Sequence, residues 1–600
     1  MLPHAVLFAL LTGLALPTIA VIQDSIHKFP KTEYDFVIVG AYLEPPGGLG
    51  GCVVANRLTE NPKFNVLVIE AGASHEDVLD SQVPSFFLRL QNTTYDYNYT
   101  STAQPHLNNR VMPLLHARIL GGSTSHNGML YTRGSSSDYD RWASVTGDPG
   151  WSWKKIFPYI LKTEKWVKPN RDMDIEGMYN PKVHSRSGMT SVSLSNFPDA
   201  TDAKVKEAAT ELGGDFSWNV DFNSGDPLGT GWAQFTIGNG ERSSAATSYL
   251  APSYLKRKNL HVLVNHRVTK VAPTGHGSPK LLSFRTVFFQ QEMNTSGPVQ
   301  EITAKKEVIL SAGAFGTPKI LLLSGIGDRD ELEQVGIEPK VDLPSVGKNM
   351  SEHPILTVGW RLGINDTFDP SADPSLPAQW LQEWQTSRTG PLTYVGSNAA
   401  AWTRLPDDSP IYSQHPDPSA GRNTPQLEVY FSTRGLYPLP GRFIFANAVL
   451  VTPSLESRGS LRLASTKAYD PPLVDLGMMK SDFDWYSLRE SVRVIKRFFS
   501  APAWASYQLS VMPPFDTDDD EELDEAIRAN VVSAHQVCTA AMSPKGAQWG
   551  VVDPDLRVKK VNGLRIVDAS VMPYIISAHP QAAVYAISER ASDLIKQAWS

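Results

Sequence analysis

The feature that most restricts the fold of this chain is a strand–loop–helix–strand succession close to its start. Residues 34–40 are an almost wholly apolar run closed by glycine, which predicts a short parallel strand buried on both faces. Residues 52–60 follow as a helix, and Asn65-Val66-Leu67-Val68-Ile69-Glu70 as a second strand. Its terminal acid, Glu70, is suited to hold a ribose hydroxyl. Strand, glycine loop, helix, strand and acid compose the βαβ unit that binds FAD or NAD, with the pyrophosphate at the helix amino terminus.

The loop inside this unit departs from the pattern. G-x-G-x-x-G places four residues between its first and third glycines, whereas ten separate Gly40 from Gly51. Pro45 and Pro46 offer no N–H to a phosphate, and Glu44 would bring like charge toward it. Removing Tyr42 to Gly47 leaves Gly40-Ala41-Gly48-Leu49-Gly50-Gly51, which restores the fingerprint. Two readings stay open. Either Gly48, Gly50 and Gly51 make the turn while the surplus bulges outward, or the segment is an error in the gene model.

At 600 residues, with 41% hydrophobic and 20% charged, the chain is expected to form two or more domains. A net charge of -7 carries no electrostatic footprint for nucleic acid. Residues 5–16 are an apolar run too short to cross a bilayer, ending in Pro17-Thr18-Ile19-Ala20, with small residues where a signal peptidase cuts. Only His4 stands where a charged n-region would be. Residues 1–20 are read as a signal peptide, and the mature protein as a soluble, extracellular monomer without membrane spans. Sequons at Asn92, Asn98, Asn294, Asn349 and Asn365 agree with secretion. Cys52 and Cys538 are too few for a disulfide framework. The acidic run Asp516–Glu525 reads as the solvated start of a helix over Leu523–Arg528, and no metal site is expected. Trp151, Trp153 and Trp232 read as core.

Near the carboxy terminus lie two histidines, in Ser533-Ala534-His535-Gln536-Val537-Cys538 and in Ser577-Ala578-His579-Pro580, the second followed by a helix-like run, Ala582 to Leu594. Histidine changes charge near neutral pH, so a converging pair can take a proton from an alcohol and stabilise the alkoxide. Two glycine-bearing patterns stand upstream. Residues 117–134 read Ala-Arg-Ile-Leu-Gly-Gly-Ser-Thr-Ser-His-Asn-Gly-Met-Leu-Tyr-Thr-Arg-Gly, and residues 313–327 read Gly-Ala-Phe-Gly-Thr-Pro-Lys-Ile-Leu-Leu-Leu-Ser-Gly-Ile-Gly.

From about Tyr34 to Ile595 these segments resemble the glucose–methanol–choline (GMC) family of FAD-dependent alcohol oxidoreductases. The resemblance implies an α/β fold (α+β overall), with a Rossmann-like FAD-binding domain and a discontinuous substrate domain built on an antiparallel sheet. The FAD-binding parts would be 34–150, 246–355 and 540–600, and the substrate parts 151–245 and 356–539. It implies His535 as the base and His579 as the partner that hydrogen-bonds the hydroxyl. Cofactor contacts are expected from Gly40, Gly48, Gly50, Gly51, Glu70, Gly121, Gly122, Ser123, Asn127, Gly128, Asp568 and Ala569. Val268 would end a strand from Val262 and touch the adenine end of FAD, and the loop Gly347–His353 would lie against the flavin.

His126 replaces an aliphatic residue of the first signature. The run from His116 to Gly134 most resembles fungal pyranose dehydrogenases, in which a histidine at this place is joined covalently to the flavin. Met542–Gly546 and Trp549–Pro554 are also similar to aryl-alcohol oxidases, which place a bulky aromatic where Ala534 stands. Cys538 occupies a position where the family has glycine, and reads as a small packing residue. The expected activity is oxidation of sugar hydroxyls by hydride transfer to flavin N5. Oxidation of aryl alcohols to aldehydes is the alternative, and a flavin-poor ligand-binding or cyclase-type protein is the alternative of another class. Oxygen and quinone both stay open as electron acceptor.

Overall fold

A computed structural model describes residues 22–30, 32–40, 47–199, 201–275, 281–363, 375–433 and 443–600. The signal peptide at 1–20, the loop 41–46 and the sequon at Asn365 lie outside the described residues. Six strands form a parallel sheet in the order Ile22–Gln23, Leu260–Leu263, Val66–Ile69, Phe36–Val39, Glu307–Leu310, Leu564–Ile566. The two central strands are at most 1% exposed throughout, as continuous Val/Ile/Leu/Phe runs require when both faces are covered. Strand order reverses on either side of Phe36–Val39. The crevice at its carboxyl end is therefore where an open α/β sheet takes a ligand.

The first helix spans Gly47–Leu58, starting earlier than the expected 52–60. Gly48, Gly50 and Gly51 all lie within its opening turns. A Cβ on Gly50 would sit 2.1 Å from the Val567 carbonyl oxygen, and one on Gly51 2.4 Å from that of Gly40. Glycine here lets the helix start against the strand ends. The helix packs on the carboxy-terminal helix Gln581–Ala598, where Glu589 accepts from Arg57 Nη2 (2.7 Å) and Tyr249 Oη (2.8 Å).

The expected strand Val262–Val268 is two strands. Asn265 adopts φ 58°, a left-handed conformation that asparagine tolerates better than most side chains. The chain turns there out of the parallel sheet into His266–Pro273, which pairs antiparallel with Leu282–Gln291. Val268 lies on this second strand.

The second large sheet is antiparallel, in the order Ser510–Val511, Ile355–Arg361, Phe443–Leu450, Leu427–Ser432, Ala399–Thr403, Gly229–Trp232. Helix Asp482–Phe499 covers one face. It has acids in its first turn and Lys496 and Arg497 in its last, matching the macrodipole. Phe431 stacks on Phe498 at 4.4 Å. Because side chains alternate along a strand, Glu428 and Tyr430 point to the opposite face. Helix Asp520–Asn530 starts at Asp519, whose carboxyl accepts from Glu521 N and Glu522 N. Trp151 is fully buried, and Trp153 and Trp232 pack on the core. No helix among the described residues is long and apolar enough to cross a membrane.

The glycine contacts predict the cost of a single methyl. Gly51→Ala should force the helix off the strand and destabilise the fold by about 1–3 kcal/mol. A lowered melting temperature checks this, and an unchanged one would show that the helix can shift freely.

Candidate active site

The His535 segment is held at both ends and arched between. Val532 exchanges backbone hydrogen bonds with Ile355 (2.9 and 2.9 Å), and Val537 with Ser351 (3.1 and 3.0 Å). Inside the arch sits the carboxyl of Glu352, 3% exposed. It accepts from His353 N (2.7 Å), Ala534 N (2.9 Å), Ser533 Oγ (2.8 Å), His535 N and Gln536 Nε2. Burial pushes this carboxyl above its ordinary range, while the donors pull the other way. Cys538 closes the arch with φ 75°, the backbone state that explains a glycine preference at this place. Its thiol is 1% exposed and burial pushes it up to about 12, so it packs as a neutral group.

His579 is framed from the other side. Asp138 Oδ2 accepts from Ser577 N (3.1 Å), Ser577 Oγ (2.6 Å) and Ser135 N (3.0 Å). His579 N donates to Thr132 Oγ1 at 3.0 Å, and Pro580 leads directly into the carboxy-terminal helix.

These frames bring the two rings to 4.5 Å between centroids at an interplanar angle of 68°. Two groups that the sequence reading did not single out complete the cluster. His353 Nδ1 lies 3.0 Å from His535 Nδ1, and His579 Nε2–H donates to Glu428 Oε1 at 3.2 Å. Burial, then the neighbouring His579 and His353, hold His535 well below the ordinary histidine range. Burial first, and His579 second, press His353 down to about 3. Both rings stay neutral at neutral pH. The signal for Glu428 was present in the sequence: a lone acid between Leu427 and Val429 on an otherwise apolar strand.

The expected cofactor residues gather at the carboxyl ends of the parallel strands and in the first signature. Gly40, with φ 89°, lines a small cleft with Val39, Ile69, Ala71, His266 and Val268. Glu70 is fully buried; Oε1 accepts from Gly72 N at 2.5 Å, Oε2 has no partner, and burial raises the carboxyl to about 8. Gly121 has φ 91° and enters the short turn Gly122–Ser125, which His126 closes by donating N–H to Ser123 O at 3.0 Å. Asn127 is committed to protein: Nδ2 donates to Gln581 Oε1 at 2.8 Å, and Oδ1 accepts from Arg242 Nη1 at 3.0 Å. Gly128 lies against the Phe87 ring.

Asp568 likewise spends its carboxyl on protein donors, namely Gly313 N, Thr317 Oγ1, Ser570 N and Ser570 Oγ. Ala569 lends its carbonyl to Cys538 N at 3.4 Å. Asp568 thus shapes the start of helix Gly313–Leu323. Asn349 is exposed, although its loop neighbours Glu352 and His353 are buried.

Among the buried polar atoms without a hydrogen-bond partner in the described residues are Glu70 Oε2, Ser123 Oγ, His126 Nε2 and Ser311 Oγ. Buried polar groups are paired as a rule. A hydroxyl- and phosphate-rich cofactor lying from Glu70 to the Gly121 turn would satisfy them.

GMC oxidoreductase family models match residues 41–355 and 456–588. The chain is a GMC oxidoreductase. Pyranose dehydrogenase 3 of Leucoagaricus meleagris is 41% identical to it, across 95% of this chain and 94% of that one. An FAD-dependent oxidoreductase from Chaetomium thermophilum superposes with a TM-score of 0.83 at 29% identity, covering 94% of this chain and 100% of its own. A fungal aryl-alcohol oxidase does so at 0.79 and 28%, covering 95% and 100%. The cofactor of this GMC oxidoreductase is FAD, and the unpaired atoms above suit it. The enzyme is an FAD-dependent oxidoreductase of alcohol or sugar hydroxyls.

Neutral burial of His353 has a consequence for stability. Its folded-state value, about 3, lies below the ordinary 6.5 of the unfolded chain. Above pH 6.5 neither state binds the proton; below it only the unfolded chain does, so stability falls with pH by about 1.4 kcal/mol per unit. His353→Asn should flatten the fall in melting temperature between about pH 6.5 and 4.5, and an unaltered slope would contradict the assignment.

Proposed function

We propose that this GMC oxidoreductase is a secreted dehydrogenase that oxidises sugar hydroxyls, with His535 as the base and His579 as the group that holds the hydroxyl. The observation carrying the choice of sugar is the wall beside the histidines. Small Ala534 packs there with Ile355, Val449, Val451 and Tyr430, and the same strand presents Glu428. That wall is apolar except for Glu428, and Ala534 puts no aromatic ring where an aryl-alcohol oxidase would have one. The likeness to pyranose dehydrogenase points the same way, while the aryl-alcohol oxidase likeness favours benzylic alcohols as the second reading. Steady-state assays of sugars against benzylic alcohols, each with oxygen and with a quinone, separate the two and identify the acceptor.

Bound FAD supplies the hydride acceptor at N5. The protein's task is one proton. For His535 to act as base, its Nδ1–H donates to His353 Nδ1, which leaves the Nε2 lone pair free; His353 therefore selects the tautomer. When the proton arrives, His535 keeps that hydrogen bond and nothing around it rearranges. His579 meets Glu428 through Nε2, and Nδ1 is the nitrogen left to face the hydroxyl oxygen, to which it donates only when it too carries a proton. Glu70 would hold the ribose, the Gly121 turn would give the flavin close access to backbone, and His126 would be its attachment point. Exposed Asn92, Asn98 and Asn294 are compatible with glycosylation during secretion. Sequencing the amino terminus of the secreted protein tests cleavage after Ala20.

His535→Ala should slow flavin reduction by about 10²–10⁴-fold while flavin stays bound; a rate within a few-fold of the parent would sink the role. Because His535 is held well below 6.5, its base form persists as pH falls. The limiting reduction rate should stay flat through pH 6.5, and an inflection there would count against it.

The His126 linkage has its own readout. Acid-precipitated protein should stay yellow, and His126→Ala should release the colour to the supernatant. Free flavin from the parent protein would reject attachment.

A further inference from the structure

Glu428 is completely buried, yet only half of its carboxyl is used. Oε1 accepts from His579, while Oε2 has no partner among the described residues. Its described surroundings offer none. Its cross-strand neighbours are Val449 and Trp402. Two residues back, the Gln426 amide nitrogen is already spent on Tyr412, Asp417 and Ser419, and its oxygen on Leu405 N. Two residues on, Tyr430 shares the face but makes no hydrogen bond with Glu428. An unpaired carboxyl oxygen in an apolar wall is costly, and this one sits one bond angle from the atom that orients His579.

Resting on the reading of the enzyme as a sugar dehydrogenase, we propose that Glu428 is a specificity-determining residue. Oε2 accepts a hydrogen bond from a second hydroxyl, on the carbon next to the one oxidised. The substrate class is thereby a vicinal diol rather than a simple alcohol. The chemistry fits: neighbouring hydroxyls of a diol stand about one hydrogen-bond length apart, and one carboxyl offers two acceptors at similar spacing. The reacting oxygen goes to the histidines, and its neighbour satisfies the orphaned atom. A monohydroxy alcohol entering the same place leaves Oε2 unpaired, which discriminates against it as strongly as a missing partner can.

The test is a ratio. kcat/KM for flavin reduction is measured with a pyranose and with its deoxy analogues lacking one neighbouring hydroxyl, in the parent and in Glu428→Ala. The parent should prefer the diol by about 10–100-fold, and in Glu428→Ala this preference should fall to within about three-fold. Any effect on His579 lowers both substrates alike and cancels. An equal preference in parent and variant would overturn the proposal and leave Glu428 as a positioning residue alone. Should Glu428→Ala lose its flavin, Glu428→Leu, which keeps the bulk and offers neither acceptor nor donor to the second hydroxyl, is read the same way. The same ratio is measured with 1-phenyl-1,2-ethanediol against 1-phenylethanol. Reduction by the aryl pair but by no sugar would reject the sugar reading, and the aryl ratio then decides the role of Glu428 by itself.

Discussion

The geometry of the histidine cluster depends on one buried carboxyl. Glu352 gathers five donors, four of them from an arch four residues long, and without it those backbone and side-chain groups would face each other unpaired at about 1–3 kcal/mol apiece. Because the arch is pinned by backbone pairing at Val532 and Val537, the acid leaves it a single way to close. His535 is thereby aimed at His353 on one side and His579 on the other. The carboxyl acts as a mould rather than as a reactant.

The opposite half of the site repeats the device. Asp138 ties Ser577 to Ser135, and Thr132 takes the amide of His579. One residue on, Arg133 is buried beside Glu164 and donates to the carbonyls of Val183 and Asn223 (2.8 and 2.8 Å). Glu164 and Asp221 in turn hold the two nitrogens of His184, at 2.6 and 2.7 Å. Burial of this balanced network costs desolvation, and it is sustained because every charge in it has an opposite at hydrogen-bond distance. Each histidine of the cluster rests on a hydrogen-bonded floor that fixes where its ring lies.

Much of this was legible in residue order. The apolar runs before Gly40 and Glu70 are local signals, since a strand buried on both faces must be continuous in sequence. The two signatures and the His535 and His579 blocks carry their chemistry within a few positions of one another. Other features had no such locality. The break at Asn265 interrupts a run that reads as uniform strand, because a left-handed asparagine leaves no pattern in hydrophobicity. The opening strand Ile22–Gln23 is too short to show a period. Asp568 and Asn127 read as cofactor contacts, yet the structure gives their side chains to Thr317, Ser570, Gln581 and Arg242.

By itself the sequence determined the kind of fold, the family and the pair of histidines, since propensity, periodicity and motif spacing are properties of neighbours along the chain. Only the tertiary structure decided which groups complete the site. Glu428 meets His579 across 151 positions, and His353 meets His535 across 182. Such contacts are set by where the segments carrying His535 and His579 meet the antiparallel sheet. Burial there removes water, and removal of water is what keeps His353 and His535 neutral and leaves one carboxyl oxygen of Glu428 without a partner among the described residues.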